Sequence, residues 1–362
     1  MQTIIDQNEV AGAVTAVADK KGLLHLEATG FANVEEKKPM SEDSICWIAS
    51  MTKPITGAAI VMLQDEGKLN IADPVAKYIP EFAALKTPSG KPANLTITQI
   101  LTHTSGLGEA GGPAAQEAHT LADLVPIWLA TPMQYEPGAK WKYTQSGINA
   151  AARIVEIVSG MTFDAFLQKR LFEPLGMTNS TFYPTDAQRA QMATAYAKNK
   201  DTGKLEAVAP RSDFGIRGRP PQGNGGLYSC ARDYTRFCQM LLNGGTLDGK
   251  RLLSAEAVKT LSSVHTGDIE CGFFQNETFG QHGKNYGWGI GTCVLKQPHE
   301  GVAEVLSPGS FGHGGAWGTQ AWIDPVKSRI YVLMVQRANF PNSDASPVRG
   351  AFQKAAAAAL AR

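Results

Sequence analysis

A hydroxyl and an amine stand three residues apart, as Ser50 and Lys53, in the stretch Ile48-Ala49-Ser50-Met51-Thr52-Lys53-Pro54-Ile55. On a helix that spacing puts both side chains on one face, so the Lys53 amine reaches the Ser50 hydroxyl. The chemistry open to such a pair is acyl transfer, in which serine attacks a carbonyl carbon while the amine takes its proton. A helix N-terminus at the same place favours negative charge on Ser50 Oγ and disfavours a protonated amine. Alone the motif is weak, because about one Ser-x-x-Lys match is expected by chance in such a composition.

Two further stretches carry groups of the right kind. Trp141-Lys142-Tyr143-Thr144-Gln145-Ser146-Gly147 offers the Tyr143 phenol and the Gln145 amide just ahead of a helical run. Tyrosine and lysine side chains both titrate near pH 10 when unperturbed and shift one another, so Tyr143 beside a lysine can pass protons. Phe311-Gly312-His313-Gly314-Gly315-Ala316-Trp317-Gly318 precedes a strand pattern, and its glycines let backbone N–H groups approach a carbonyl oxygen. Taken singly, each has a plain structural reading: a solvated lysine, a core tyrosine, a polar histidine in a tight turn. The chain has no Gly-x-Ser-x-Gly elbow, His-Glu-x-x-His, Walker loop or dinucleotide fingerprint. That disfavours an α/β-hydrolase and gives no sign of a metal or cofactor.

Several elements must position these groups. Apolar residues at Ile55, Ala58, Ala59, Met62 and Leu63 have helical spacing. Pro54 fits only a first turn, and Gly67-Lys68 is a stop, so a helix is predicted from near Ser50. Ala11 to Ala18 and Leu23 to Phe31 flank Asp19-Lys20-Lys21-Gly22, a hairpin signal. Helical patterns follow at Ile97 to Leu101, Leu121 to Leu129, Gly147 to Val158, Phe163 to Leu171 and Ala231 to Leu242. Strand character returns at Gly287 to Leu295, Val302 to Leu306, Thr319 to Ile323 and Ile330 to Val335, before an alanine-rich helix from Phe352. The simplest assembly is an α/β fold with one antiparallel sheet built from both ends of the chain and flanked by terminal helices. Residues 1–72 and 281–362 would form this discontinuous sandwich and residues 73–280 a mostly helical insert, with the site in the cleft between them.

Composition bounds the function. The 362 residues, 43% hydrophobic and 19% charged with a net charge of +1, describe a globular chain large enough for two units. Without a concentrated basic face, nucleic acid and anionic membrane are poor partners. No run reaches the length of a membrane span, and Met1 to Val10 has no leader-like apolar region. The expectation is a soluble monomer or small homo-oligomer, cytoplasmic as the sequence stands and periplasmic or secreted if a leader has been removed. The five cysteines show no metal-ligand spacing and read as small apolar residues.

In their order, Ser50-Met51-Thr52-Lys53, Tyr143-Thr144-Gln145 and His313-Gly314-Gly315 resemble the motifs of the serine β-lactamase and penicillin-binding family. The branch they resemble most holds class C β-lactamases, D-alanyl-D-alanine peptidases and related carboxylesterases. Leu101-Thr102-His103-Thr104-Ser105-Gly106-Leu107, Glu173-Pro174-Leu175-Gly176-Met177 and Gly225-Gly226-Leu227-Tyr228-Ser229 are similar to family sequence at corresponding places, so the resemblance spans most of the chain. It implies a β-lactamase/transpeptidase-like fold, Ser50 as nucleophile, and Lys53 and Tyr143 as proton carriers, with the main base left open. It also implies an oxyanion hole from the backbone N–H groups of Ser50 and Ala316, and substrate contacts near Gln145, His313, Gly314, Gly315 and Trp317. His103 matches a structural position.

Two departures bear on substrate. The family's third motif is commonly Lys-Thr-Gly, which holds a carboxylate. Here neutral His313 and Gly314 weaken that clamp, although some family peptidases also carry histidine there. Gln145 stands where the family has asparagine. The expected substrate is therefore a small neutral ester, with an amide or lactam as the alternative, and a sensor acylated without turnover as a further one. If His313 faces substrate, lowering pH should charge it and improve acylation by anionic lactams.

Overall fold

The computed structural model describes residues 1–209, 215–272, 283–300, 303–340 and 346–360. Eight strands form one antiparallel sheet: β1 Gly12–Ala18, β2 Leu23–Asn33, β3 Lys38–Pro39, β4 Tyr286–Trp288, β5 Cys293–Leu295, β6 Phe311–Gly314, β7 Gln320–Asp324 and β8 Arg329–Met334. Their spatial order is β4-β5-β6-β7-β8-β1-β2-β3, so the first strand of this sheet in chain order pairs with its last, Ala16 opposite Val332. The expected α/β fold with a sheet drawn from both chain ends is present.

Every residue of β1 is buried, which explains why Gly-Ala-Val-Thr-Ala-Val-Ala shows no polar alternation. One face, with Val14, Ala16, Ile330, Val332 and Ile323, packs against the helices Thr52–Asp65 and Ala231–Leu242 through Ile55, Phe237 and Leu241. The other face, with Val17, Tyr331 and Leu333, is covered by Ile4 and Ile5 near the N-terminus and by Val348 and Phe352 of the helix Pro347–Leu360. The Thr52–Asp65 helix is buried all round through Leu63, and that fits its weak amphipathic pattern.

Some elements differ from the sequence reading. The predicted strand Gly287 to Leu295 is a hairpin, β4 and β5, because the chain reverses at Gly289 to Gly291, where Gly291 has φ 74°. A side chain at Gly289 would run into the Leu261 carbonyl, so the reversal needs glycine there. Ala303 to Leu306 is turn rather than strand, and Val302 lies outside the described residues. Among the described residues between β3 and β4, helices are the commonest regular element, yet the segment also carries short strands at Tyr196–Lys198, Leu205–Ala207 and Tyr228–Ser229.

Candidate active site

The turn that carries Ser50 is held from three sides. Cys46–Trp47 pairs with Tyr228–Ser229, and Ile48 N–H donates to the Leu227 carbonyl at 3.0 Å. Thr52 Oγ1 donates to the Ala49 carbonyl and accepts from Leu227 N–H. Tyr234 donates its hydroxyl to the Met51 carbonyl at 2.8 Å. Between these anchors Ala49 sits at φ 46°, a left-handed conformation that costs an alanine of order 1 kcal/mol. Residues 49–51 form a 3-10 turn, and the α-helix begins at Thr52, two residues later than Ser50.

Lys53 is 0% exposed, and its Nζ lies 3.0 Å from Ser50 Oγ, which is 8% exposed. The same nitrogen donates to Gln145 Oε1 at 2.8 Å and to the Asn224 carbonyl at 2.6 Å. Both of those oxygens are pure acceptors, so they take two N–H groups whatever the charge on Lys53. The third direction faces Ser50, whose hydroxyl can either accept or donate. A neutral Lys53 therefore has its lone pair available to the Ser50 proton without moving. Asn224 belongs to none of the sequence motifs, although it immediately precedes Gly225-Gly226-Leu227.

Tyr143 lies against Lys53, with the amine 4.7 Å from its ring centroid. The His103 ring lies beside that ring, centroids 4.5 Å apart, and Thr144 N–H donates to His103 Nδ1. The His103 carbonyl accepts from Lys142 N–H and from the Tyr135 hydroxyl. His103 thus fixes the Tyr143 segment, in keeping with a structural role. Its burial and the nearby Lys53 charge hold its pKa well below the usual histidine value.

His313 lies elsewhere than its expected role requires. It is 0% exposed on β6, with Nδ1 2.7 Å from the Gly314 carbonyl and Nε2 3.5 Å from the Tyr143 hydroxyl. A carbonyl only accepts, so Nδ1 carries the proton and Nε2 accepts, weakly, from Tyr143. Burial, then the Lys53 charge, lower its pKa to about 3. The ring is an internal support for Tyr143 rather than a donor to substrate, and the expected gain in lactam acylation on acidification disappears from the ordinary pH range.

A stability effect follows from that value. Unfolded histidine binds a proton below about pH 6.5, whereas folded His313 does not until about pH 3. Below 6.5 the unfolded state holds more protons, so stability falls with pH across this window, by up to about 1.4 kcal/mol per unit for this residue. Thermal melts at pH 7 and pH 5 should show a smaller drop for His313→Asn than for the wild type.

The turn after β6 is docked onto the segment that leads into Ser50. Gly315 N–H donates to the Thr319 carbonyl at 2.7 Å, and Thr319 Oγ1 donates to the Ile48 carbonyl. This leaves Ala316 exposed at the tip, while Gly314 closes the strand opposite Gln320. Trp317 stacks edge-on against Trp47, ring centroids 4.6 Å apart. A Cβ at Gly315 would strike Thr319 Oγ1 and lie 2.5 Å from the Ile48 carbonyl. Gly315→Ala should therefore push the turn off Ser50, costing about 1–3 kcal/mol of stability and at least about tenfold in turnover. Melting temperature and kcat measured on the same preparation check both parts.

A buried serine–lysine pair at the head of a helix lying on an antiparallel sheet has the architecture of serine hydrolases of the β-lactamase and penicillin-binding fold. The chain belongs to the Beta-lactamase family, whose model matches residues 1–356. Lovastatin esterase of Penicillium rubens is 29% identical over 74% of this chain and 72% of its own length. A putative D-alanyl-D-alanine carboxypeptidase of Escherichia coli (strain K12) is 28% identical over 82% of this chain and 70% of its own. Among solved structures, EstCE1, a hydrolase with promiscuous acyltransferase activity, superposes with a TM-score of 0.81 at 23% identity, covering 98% of this chain and 95% of that one. The family is one of serine hydrolases, with esterases and a putative carboxypeptidase among the similar proteins. Among the described residues no helix is long and apolar enough to cross a membrane.

Proposed function

We propose that the protein is a carboxylesterase acting on small neutral esters through an acyl-enzyme at Ser50. The observation that carries this reading is the Lys53 amine, buried 3.0 Å from Ser50 Oγ with two carbonyl-type oxygens taking its other hydrogens. Ser50 Oγ attacks the ester carbonyl as its proton passes to Lys53 Nζ, and the N–H groups of Ser50 and Ala316 receive the oxyanion. Each such donor is worth about 3–4 kcal/mol in measured cases. Collapse of the tetrahedral species expels the alcohol, which takes its proton from Lys53 directly or through Tyr143. Water then repeats the sequence on the acyl-enzyme, returning Ser50 and the free acid.

Ester is preferred over β-lactam because the third motif supplies no cation. His313 is neutral, internal and already engaged with Gly314 and Tyr143, so a lactam carboxylate loses a charge-assisted bond of about 1.5–3 kcal/mol. The runner-up, a D,D-carboxypeptidase, is supported by the Escherichia coli relative. Short-chain chromogenic esters, a chromogenic cephalosporin and an acyl-D-alanyl-D-alanine peptide assayed side by side decide between them. Ester turnover should exceed the other two by at least about tenfold, and faster peptide or cephalosporin hydrolysis would overturn the assignment.

A further inference from the structure

A cavity of about 240 Å³ opens beside the Lys53 network, and Glu109, Gln145, Asn149 and Asn224 contribute to its wall. Glu109 reaches solvent as a residue, but its carboxyl group is partly desolvated, and burial raises its pKa against the opposing pull of the Gln145 N–H. Oε2 accepts that N–H at 2.8 Å, at the head of the helix Ser146–Ser159. Asn224 faces the same space. Because Lys53 can only donate to Gln145 Oε1, the amide that shares that oxygen must present its own donor, and Asn224 Nδ2 does so at 3.0 Å. This fixes the Asn224 flip and leaves Oδ1, which is buried and has no hydrogen-bond partner among the described residues. Oδ1 is thus sealed off from the cavity, and Glu109 is the one charged residue among the described residues that line it. Lys53 and Lys142 are the cations whose fields reach Glu109. The Lys53 amine is occupied by Ser50, Gln145 and Asn224.

We propose that this cavity is a subsite for a protonated amine on the ester substrate, and that Glu109 is the residue that selects for it and against carboxylates. The inference rests on the esterase reading and extends it, from esters without a carboxylate to those bearing an ammonium group. Glu109 also caps a helix, and a purely structural role must be separated from a selective one. Glu109→Gln keeps an oxygen for the Gln145 N–H while removing the charge, so a capping role alone leaves selectivity unmoved.

The experiment compares three methyl esters of similar length: β-alanine methyl ester, methyl butyrate and monomethyl succinate, followed by pH-stat at pH 7. For the wild type, kcat/KM should rank them ammonium, neutral, anionic. In Glu109→Gln the ammonium-to-neutral ratio should fall about three- to tenfold, the range expected for a partly solvated charge contact, and the anionic-to-neutral ratio should rise. Ratios that stay within twofold of wild type overturn the subsite. Loss of methyl butyrate hydrolysis in Ser50→Ala tests the esterase reading separately. If no ester is turned over, that reading fails, and selectivity is then read from Ser50 labelling by equal-length ammonium-bearing and neutral alkyl fluorophosphonates, followed by intact mass. A Glu109-dependent ratio there upholds the subsite, and an unchanged ratio rejects it.

Discussion

Ser50→Ala is expected to lower ester turnover by about 10⁴-fold or more while leaving the fold intact. The two halves of that expectation have separate grounds. Turnover is lost because the acyl-enzyme can form only on Oγ, and the remaining oxyanion donors give no covalent route. The fold survives because the anchors of this turn use backbone atoms: Ile48 N–H on Leu227, the Met51 carbonyl on Tyr234, the Ala49 carbonyl on Thr52. Turnover of a chromogenic ester, a thermal melt and intact mass after fluorophosphonate treatment test the two halves together. Substantial turnover in a properly folded variant would sink the assignment, whatever Lys53 does.

Lys53→Met should cost about 10³-fold in kcat, within the usual range for a positioned proton carrier. It should also cost about 1–3 kcal/mol of stability, because the Asn224 carbonyl loses its 2.6 Å donor in a partly buried place. Gln145 Oε1 is less exposed to this loss, since Asn224 Nδ2 still serves it. Lys53→Arg keeps a cation that cannot deprotonate, so it should be nearly as slow as Lys53→Met. Single-turnover acylation separates this effect from product release. A Lys53→Arg enzyme with most of the wild-type acylation rate would transfer the base to Tyr143 or water.

Much of this arrangement is written locally in the chain. The first hairpin, the helix Ala231–Leu242 and the pairing of Ser50 with Lys53 each depend on residues within about one to three helical turns or one β-turn of each other, where pattern and chemistry coincide. The Gly315 turn was legible for the same reason, since glycines and a following strand adjoin it. What escaped depends on distant partners. Asn224 meets Lys53 across 171 positions, and Glu109 reaches the Gln145 backbone across 36. Neither lies in a pattern that separates it from other polar loop residues. His313 was legible as a neutral group but not as an internal one, because a histidine on a strand faces the cleft or the core according to register. Ala303 to Leu306 misled because apolar content alone does not distinguish a strand from a turn that buries its apolar residues.

The pairing of β1 with β8 has a consequence for how the enzyme is made. Val14 to Ala18 occupy the middle of the sheet only once Ile330 to Met334 exist to lie beside them. Ser50 is synthesised early, whereas Gly315 and Ala316 come from the strand region made near the end. An N-terminal fragment holding Ser50, Lys53, Tyr143 and Asn224 therefore lacks both its central sheet neighbour and the Gly315 to Thr319 turn that docks on the Ile48 carbonyl. The long-range closure makes folding slow relative to local helix formation. On the proposed esterase reading, hydrolytic competence would then arrive late in translation, and a growing chain would be chemically silent toward the esters around it.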